Sequence, residues 1–198
     1  MSHSHHVLPR SFFETDAVTL APKLLGKVVK KGPCEGIIVE VEAYAGDAAS
    51  HALKKRNQAH SMRENWGHWY VYFTYGMHWC ANVTCDKKSA GAVLIRAVEP
   101  TKGLSGMKKH RATYDIRKLT TGPACFTQAF GIGKKENGLP LSEDFGIFDA
   151  PLIPAAQIVA SPRIGIHHAT DLPWRFYIKG NPFVSKLPRT ETVVPKSP

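Results

Sequence analysis

The chain has 198 residues, 43% of them hydrophobic, which is enough for one domain with a real core and too much for a disordered chain. Lys and Arg number 26 against 16 Asp and Glu, and the net charge of +10 favours a polyanionic partner without choosing among DNA, RNA and an anionic membrane. No run of about 18 apolar residues exists, so a membrane-spanning helix is excluded.

In chain order, residues Met1 to Arg10 lack the apolar core of a signal peptide, so the protein is expected to be intracellular. The His-rich stretch from Ser2 to His6 reads as a loose start or a partial tag rather than a metal site. Phe12 to Leu25 reads as helical, with Gly26 suited to its end. Gly36 to Tyr44 is the clearest strand, with Val39, Val41 and Ala43 on one face and Glu40, Glu42 and Tyr44 on the other. Asp47 to Trp66 is polar and basic and reads as a long loop or short helix. Trp69 to Tyr75 and Trp79 to Cys85 predict a hairpin broken at Gly76. A further strand runs from Gly91 to Val98 and is ended by Glu99 and Pro100. Lys102 to Lys118 is almost purely basic, Thr121 to Gly131 is helix-like, and the last third alternates short strands with turns. Those strands include Arg163–Ile166 and Trp174–Ile178, and the tail from Lys186 is expected to fray. The pattern predicts a single α+β domain over residues 1–198, with 1–9 and 187–198 as flexible tails. Its core would be a curved, mostly antiparallel, open-barrel-like sheet with peripheral helices. Cys34, Cys80, Cys85 and Cys125 form no Cys-x-x-Cys pair and have no partnering His pair, so free thiols are expected and no metal.

Several residues could carry chemistry. Glu42 shares a strand face with Glu40, and a solvated outer face is the ordinary reading of such a pair. Yet the strand leads straight into Gly46 and Asp47, where a carboxylate is well placed to act as a general base on water. Tyr70 and Tyr72 on one strand face read first as core, whereas Tyr75 beside Gly76 sits at a hairpin tip and must be exposed. An exposed aromatic on a basic protein can wedge between base pairs or stack on a base. Arg96 interrupts an apolar strand, so it must pair in a salt bridge or line a cavity. The basic segment is either an ordinary solvated helix or a phosphate-contacting face, and its single sign favours phosphate.

These stretches resemble a known family. Ile38 to Gly46 followed by Ser50, His51 and Ala52 is similar to the glutamate-bearing motif of the alkyladenine (3-methyladenine, N-methylpurine) DNA glycosylases. Tyr70 to His78, then Cys80, Asn82 and Val83, resembles that family's hairpin, and Leu94 to Pro100 its next strand. Gly122-Pro123, Arg163 to Gly165 and Arg175 to Gly180 follow in family order, so the resemblance covers about residues 10 to 186. It implies an enzyme that flips a damaged purine from duplex DNA and hydrolyses its N-glycosidic bond. Glu42 matches the general base and Arg96 a residue that helps hold the water. Tyr44, His51 and Tyr72 match residues enclosing the flipped base, Tyr75 the side chain that fills the gap, and Asn82 one that crowds the amine of normal guanine.

Met77 and His78 beside the tip, Arg56 in the loop, and Lys108, Lys109 and Arg111 in the basic segment are the expected DNA contacts. The implied substrates are alkylated or deaminated purines (3-methyladenine, 7-methylguanine, hypoxanthine, ethenoadenine). A cationic alkylated base leaves readily, while a neutral one needs a proton donor that the sequence does not single out. No lysine falls at the matched positions, so strand cleavage through a Schiff base is not expected. The implied partner is double-stranded DNA, with no cofactor, no membrane and a monomer acting inside the cell. Two stretches depart from the family pattern: the loop carrying Arg56, Asn57 and Arg63 to Gly67, and Ala124-Cys125 after Gly122-Pro123. The alternatives are a non-catalytic nucleic-acid-binding module and a sugar glycosidase pairing Glu42 with Glu40 or Asp47. For the latter, Glu40 lies too close on the same strand.

Overall fold

The computed structural model describes residues 6–47, 49–50, 62–86, 88 and 90–185. His51, Arg56, most of the polar loop, the His-rich start up to His5 and the tail lie outside them. The first expected helix is divided in two. A 3-10 turn covers Arg10–Phe13, and helix α1 (Ala17–Leu24) starts afresh where the Asp16 carboxylate accepts the Thr19 N–H at 2.9 Å. Such a cap is worth about 0.5–2 kcal/mol. It sets α1 so that Leu20, Ala21 and Leu24 are buried against the sheet.

Eight strands form one sheet: β1 (Val28–Lys31), β2 (Cys34–Tyr44), β3 (Trp69–Thr74), β4 (His78–Cys85), β5 (Gly91–Lys102), β6 (Phe145–Phe148), β7 (Ile158–Ser161) and β8 (Arg175–Ile178). The order is β3-β4-β5-β2-β1-β6, with β8 joining β2 to β7, and each pairing is antiparallel. The sheet curls into a half-barrel, as the α+β expectation required.

Strand β2 organises the site. One of its edges pairs with β5; the other is shared, first by β1 at Cys34–Ile37 and then by β8 at Glu40–Glu42. At the change of partner the register against β5 shifts, because Ile38 faces Val98 and Glu40 faces Ala97 while Val39 is left over. This is a β-bulge, which kinks the strand and re-aims its side chains. Ile38, Val41 and Ala43 then face the main apolar cluster, with Ile38 in the place expected of Val39.

The bulge also corrects the reading of Glu40 and Glu42 as a solvated face. Both are 0% exposed, because β8, the loop 163–169 and Ser185 cover that side. Strand β5 also runs past Glu99 and Pro100 to Lys102 instead of ending there. Gly36 permits this. It faces Pro100, and a Cβ on it would lie 2.4 Å from Val98 Cγ1 and 2.7 Å from the Glu99 carbonyl oxygen.

The hairpin β3-β4 forms as expected, closed by a Met77 N–H to Thr74 carbonyl bond of 3.1 Å. Tyr75 and Gly76 both have positive φ (51° and 64°), the left-handed conformation through which the chain reverses between the paired residues Thr74 and His78. Trp69 anchors its base, stacked on Phe145 at 4.1 Å between centroids. Helices α2 (Leu104–Arg111) and α3 (Pro123–Ala129) pack on each other, with Met107, Phe126 and Phe130 in the core. One expected strand is absent: residues 163–166 are irregular, and their N–H groups are released from any ladder. Cys34, Cys80 and Cys85 are buried free thiols and Cys125 is half-buried. No helix among the described residues is long and apolar enough to cross a membrane.

Candidate active site

Glu42 lies where β2 passes between β5 and β8, opposite Leu94 and Arg175. Its carboxylate is met by three groups. The Ile164 N–H donates to Oε1 at 2.7 Å, the Tyr44 hydroxyl donates to Oε2 at 2.9 Å, and Arg96 Nη1 forms an ion pair with Oε1 at 3.2 Å. All three are donors or cationic, which suits an acceptor-only ionised carboxylate. Among the described residues, Oε2 takes a single hydrogen bond and keeps an acceptor direction. The irregular backbone after β7 explains the Ile164 contact, since an N–H freed from a ladder needs another acceptor.

Two residues earlier, Glu40 accepts Arg96 Nε at 3.0 Å, Arg175 Nε at 2.7 Å, and both the N–H and the hydroxyl of Ser185 at 2.7 Å. Burial alone would push its carboxyl up, but the Arg96 and Arg175 guanidiniums hold it below the usual carboxylate range. Asp47 is taken up by Arg163, 2.6 Å from Nη2, and Arg163 also donates to the Ala43 carbonyl at 3.0 Å. The Arg163 guanidinium lies 4.8 Å from the Tyr44 ring centroid, so it backs that ring from outside the pocket. Neither Glu40 nor Asp47 is therefore free to pair with Glu42 as a sugar-cleaving acid.

A cavity of about 400 Å³ opens in front of Glu42, within the usual range of small-molecule pockets, about 300–1,000 Å³. Its lining combines the buried or half-buried Tyr44, Tyr72, Arg96 and Ile164 with the exposed Tyr75, His78 and Gly165, which mark its mouth. Glu42 is 0% exposed and does not line this cavity itself, but the three residues that touch its carboxylate, Tyr44, Arg96 and Ile164, do. Burial, and next the charge of Glu42, push the Tyr44 hydroxyl well above the ordinary tyrosine value, so it stays a proton donor. Burial does the same to Tyr72, whose hydroxyl bonds the thiol of its cross-strand partner Cys80. Tyr44 and Tyr72 also border a small cavity of about 30 Å³ with Ser50, Met62 and Asn82. Asn82 is 3% exposed, and its Nδ2 donates to the Tyr70 carbonyl at 3.0 Å. Five of the expected residues (Glu42, Tyr44, Tyr72, Asn82 and Arg96) thus come together.

Tyr75 is 70% exposed at the hairpin tip, as its position required, with Met77 beside it at 67%. Its hydroxyl reaches across the mouth to the Gly165 carbonyl at 3.1 Å. In the basic segment, Lys109 is exposed and Lys108 half-buried, whereas Arg111 turns inward. It donates to Gln128 Oε1, to Cys125 Sγ at 3.1 Å and to the Lys118 carbonyl at 3.2 Å, so it clamps α2 to α3.

Residue patterns missed several groups of the site. The sequence pattern assigns no role to Arg175 or Ser185 and predicts a strand at Arg163. The histidines His167 and His168, which line the mouth, were not singled out. The one available signal was a charged Arg175 inside a strand otherwise apolar and aromatic, the same reasoning that picked out Arg96.

Comparison with known proteins gives a consistent picture. A family model described as methylpurine-DNA glycosylase matches residues 11–182. A protein of Burkholderia lata provisionally named 3-methyladenine DNA glycosylase is 47% identical over 189 residues, covering 90% of this chain and 91% of its own length. Proteins of Rhodopseudomonas palustris and Chlorobaculum tepidum with the same provisional name are 47% and 44% identical. They cover 91% and 90% of this chain and 88% and 90% of their own lengths.

Proposed function

This chain belongs to the methylpurine-DNA glycosylase family, and from that premise we propose that it extrudes alkylated or deaminated purines from duplex DNA and cleaves them off with a water activated by Glu42. It is a DNA glycosylase, a hydrolase of N-glycosyl bonds. A base inside the duplex is out of reach, so such an enzyme must take the nucleotide out of the stack. The observation that carries the reading is the buried Glu42 carboxylate, held by Ile164, Tyr44 and Arg96, all three of which line the adjoining cavity of about 400 Å³.

In this reading the extruded base lies against Tyr44 and Tyr72, and a water sits against the spare acceptor direction of Oε2. The C1′–N bond lengthens through an oxocarbenium-like state, and its electron pair leaves with the purine. Glu42 takes a proton from the water, whose oxygen bonds C1′. An alkylated, cationic purine leaves neutral and needs no acid. Tyr75 enters the vacated stack once its single bond to Gly165 opens, a net cost of about 0.5–1.5 kcal/mol.

Purified protein incubated with methylated duplex DNA should release free methylpurine and leave the strand intact. Binding to that DNA with no base released would instead establish a non-catalytic nucleic-acid module.

A further inference from the structure

Glu40 is fully buried, two residues from Glu42 on the same strand, and its carboxylate is filled by Arg96, Arg175 and both the N–H and hydroxyl of Ser185, whereas Glu42 Oε2 accepts only the Tyr44 hydroxyl among the described residues. It is therefore not placed to meet substrate. A buried carboxylate held by two guanidiniums is costly to build, and a well-packed apolar group is often as stable. Stability alone gives little reason for it.

Arg96 supplies a reason. Its Nε donates to Glu40 at 3.0 Å, its Nη2 donates to the Ser185 hydroxyl at 3.4 Å, and its Nη1 lies 3.2 Å from Glu42 Oε1. A guanidinium is planar and rigid, so fixing Nε and Nη2 fixes where Nη1 points. Glu40 is in turn immobilised by Arg175 and by Ser185. The charges alternate along Glu42, Arg96, Glu40 and Arg175, so Arg96 divides its charge between two carboxylates. A base whose negative charge were wholly neutralised by one arginine would accept a proton less readily.

We propose that Glu40 is a positioning residue for the glycosylase reaction: it aims Arg96 at Glu42 and takes up part of the arginine's charge, so that Glu42 remains an effective base. The inference rests on the glycosylase reading above. Among the described residues, the other titratable or charged groups around the pair are Tyr44 on β2, Tyr72 on β3, Cys80 on β4 and Arg163 in the loop after β7.

The test is single-turnover release of 7-methylguanine from a duplex across a pH series, with enzyme in saturating excess so that the rate constant does not depend on the folded fraction. Glu40→Gln should lower the plateau rate constant about 10–100-fold, the scale of a misplaced catalytic group, with duplex affinity unchanged. Removing the Glu40 charge leaves the positive charge of Arg96 and Arg175 unbalanced beside the reacting groups, so the acid limb of the rate profile should move to lower pH. A purely structural Glu40 would lower the yield of folded enzyme and leave both rate constant and limb where they are, and that result overturns the proposal. If Glu40→Gln does not fold, Ser185→Ala, which removes one bond from Glu40 and the Nη2 anchor of Arg96 and so loosens the same positioning network, should still lower the plateau severalfold at unchanged affinity; a wild-type plateau there overturns the proposal equally. An inactive wild type would instead sink the glycosylase reading itself.

Discussion

At the scale of single residues, the site separates groups that are locked from groups that are exposed. Glu42, Glu40, Arg96 and Arg175 are buried and mutually bonded, whereas Tyr75 and Met77 stand in solvent beside the mouth. A large aromatic held out in water on a turn with positive φ is not there for the core. Base stacking on an aromatic is worth about 1–3 kcal/mol by alanine substitution, so Tyr75→Ala should weaken binding to a damaged duplex by about 5–150-fold. A binding titration with fluorescent duplex reads this directly, and unchanged affinity would remove Tyr75 from the DNA-facing role. Arg111 makes the contrast. It was expected on the DNA, but its guanidinium is engaged with Gln128, Cys125 and Lys118.

At the scale of elements, the site depends on β2 being long, bulged and shared. Gly36 lets β5 continue past Pro100 because no Cβ stands in the way. Gly36→Ala should destabilise the protein by about 1–3 kcal/mol through overpacking, read as a lower urea midpoint at unchanged slope. A midpoint equal to wild type would mean that the pairing tolerates the extra atom. The hairpin β3-β4, the strand β2 and the exposure of Tyr75 were legible in the sequence, since alternation and a glycine-marked turn are local signals. The burial of Glu40 and Glu42 was not, because it comes from β8 and Ser185, more than 130 residues away along the chain. The bulge was equally invisible: strict alternation placed Val39 with Val41, and only the change of partner strands along β2 puts Ile38 there instead. The irregular segment 163–166 looked like a strand because isoleucines alternate in it, but its backbone serves Glu42 rather than a ladder.

At the scale of the whole molecule, the net charge of +10 and the fold divide the work. In the proposed function, charge supplies phosphate attraction, which positions a protein on DNA without reading the lesion, and discrimination is left to the cavity. Binding to undamaged duplex should therefore weaken steeply with salt. The slope of log K against log salt should be about −0.9 per phosphate neutralised, and Lys109→Ala should reduce its size by about 1. A salt-independent affinity would leave the basic surface without its assigned partner.

In the proposed reaction, base release turns on one carboxylate. In Glu42→Gln the side chain keeps its size and loses its basicity, so base release from methylated duplex DNA should fall by at least about 100-fold, the lower end of a general base's contribution, while binding to the damaged duplex is retained. Release at the wild-type rate by Glu42→Gln would contradict the account at its centre.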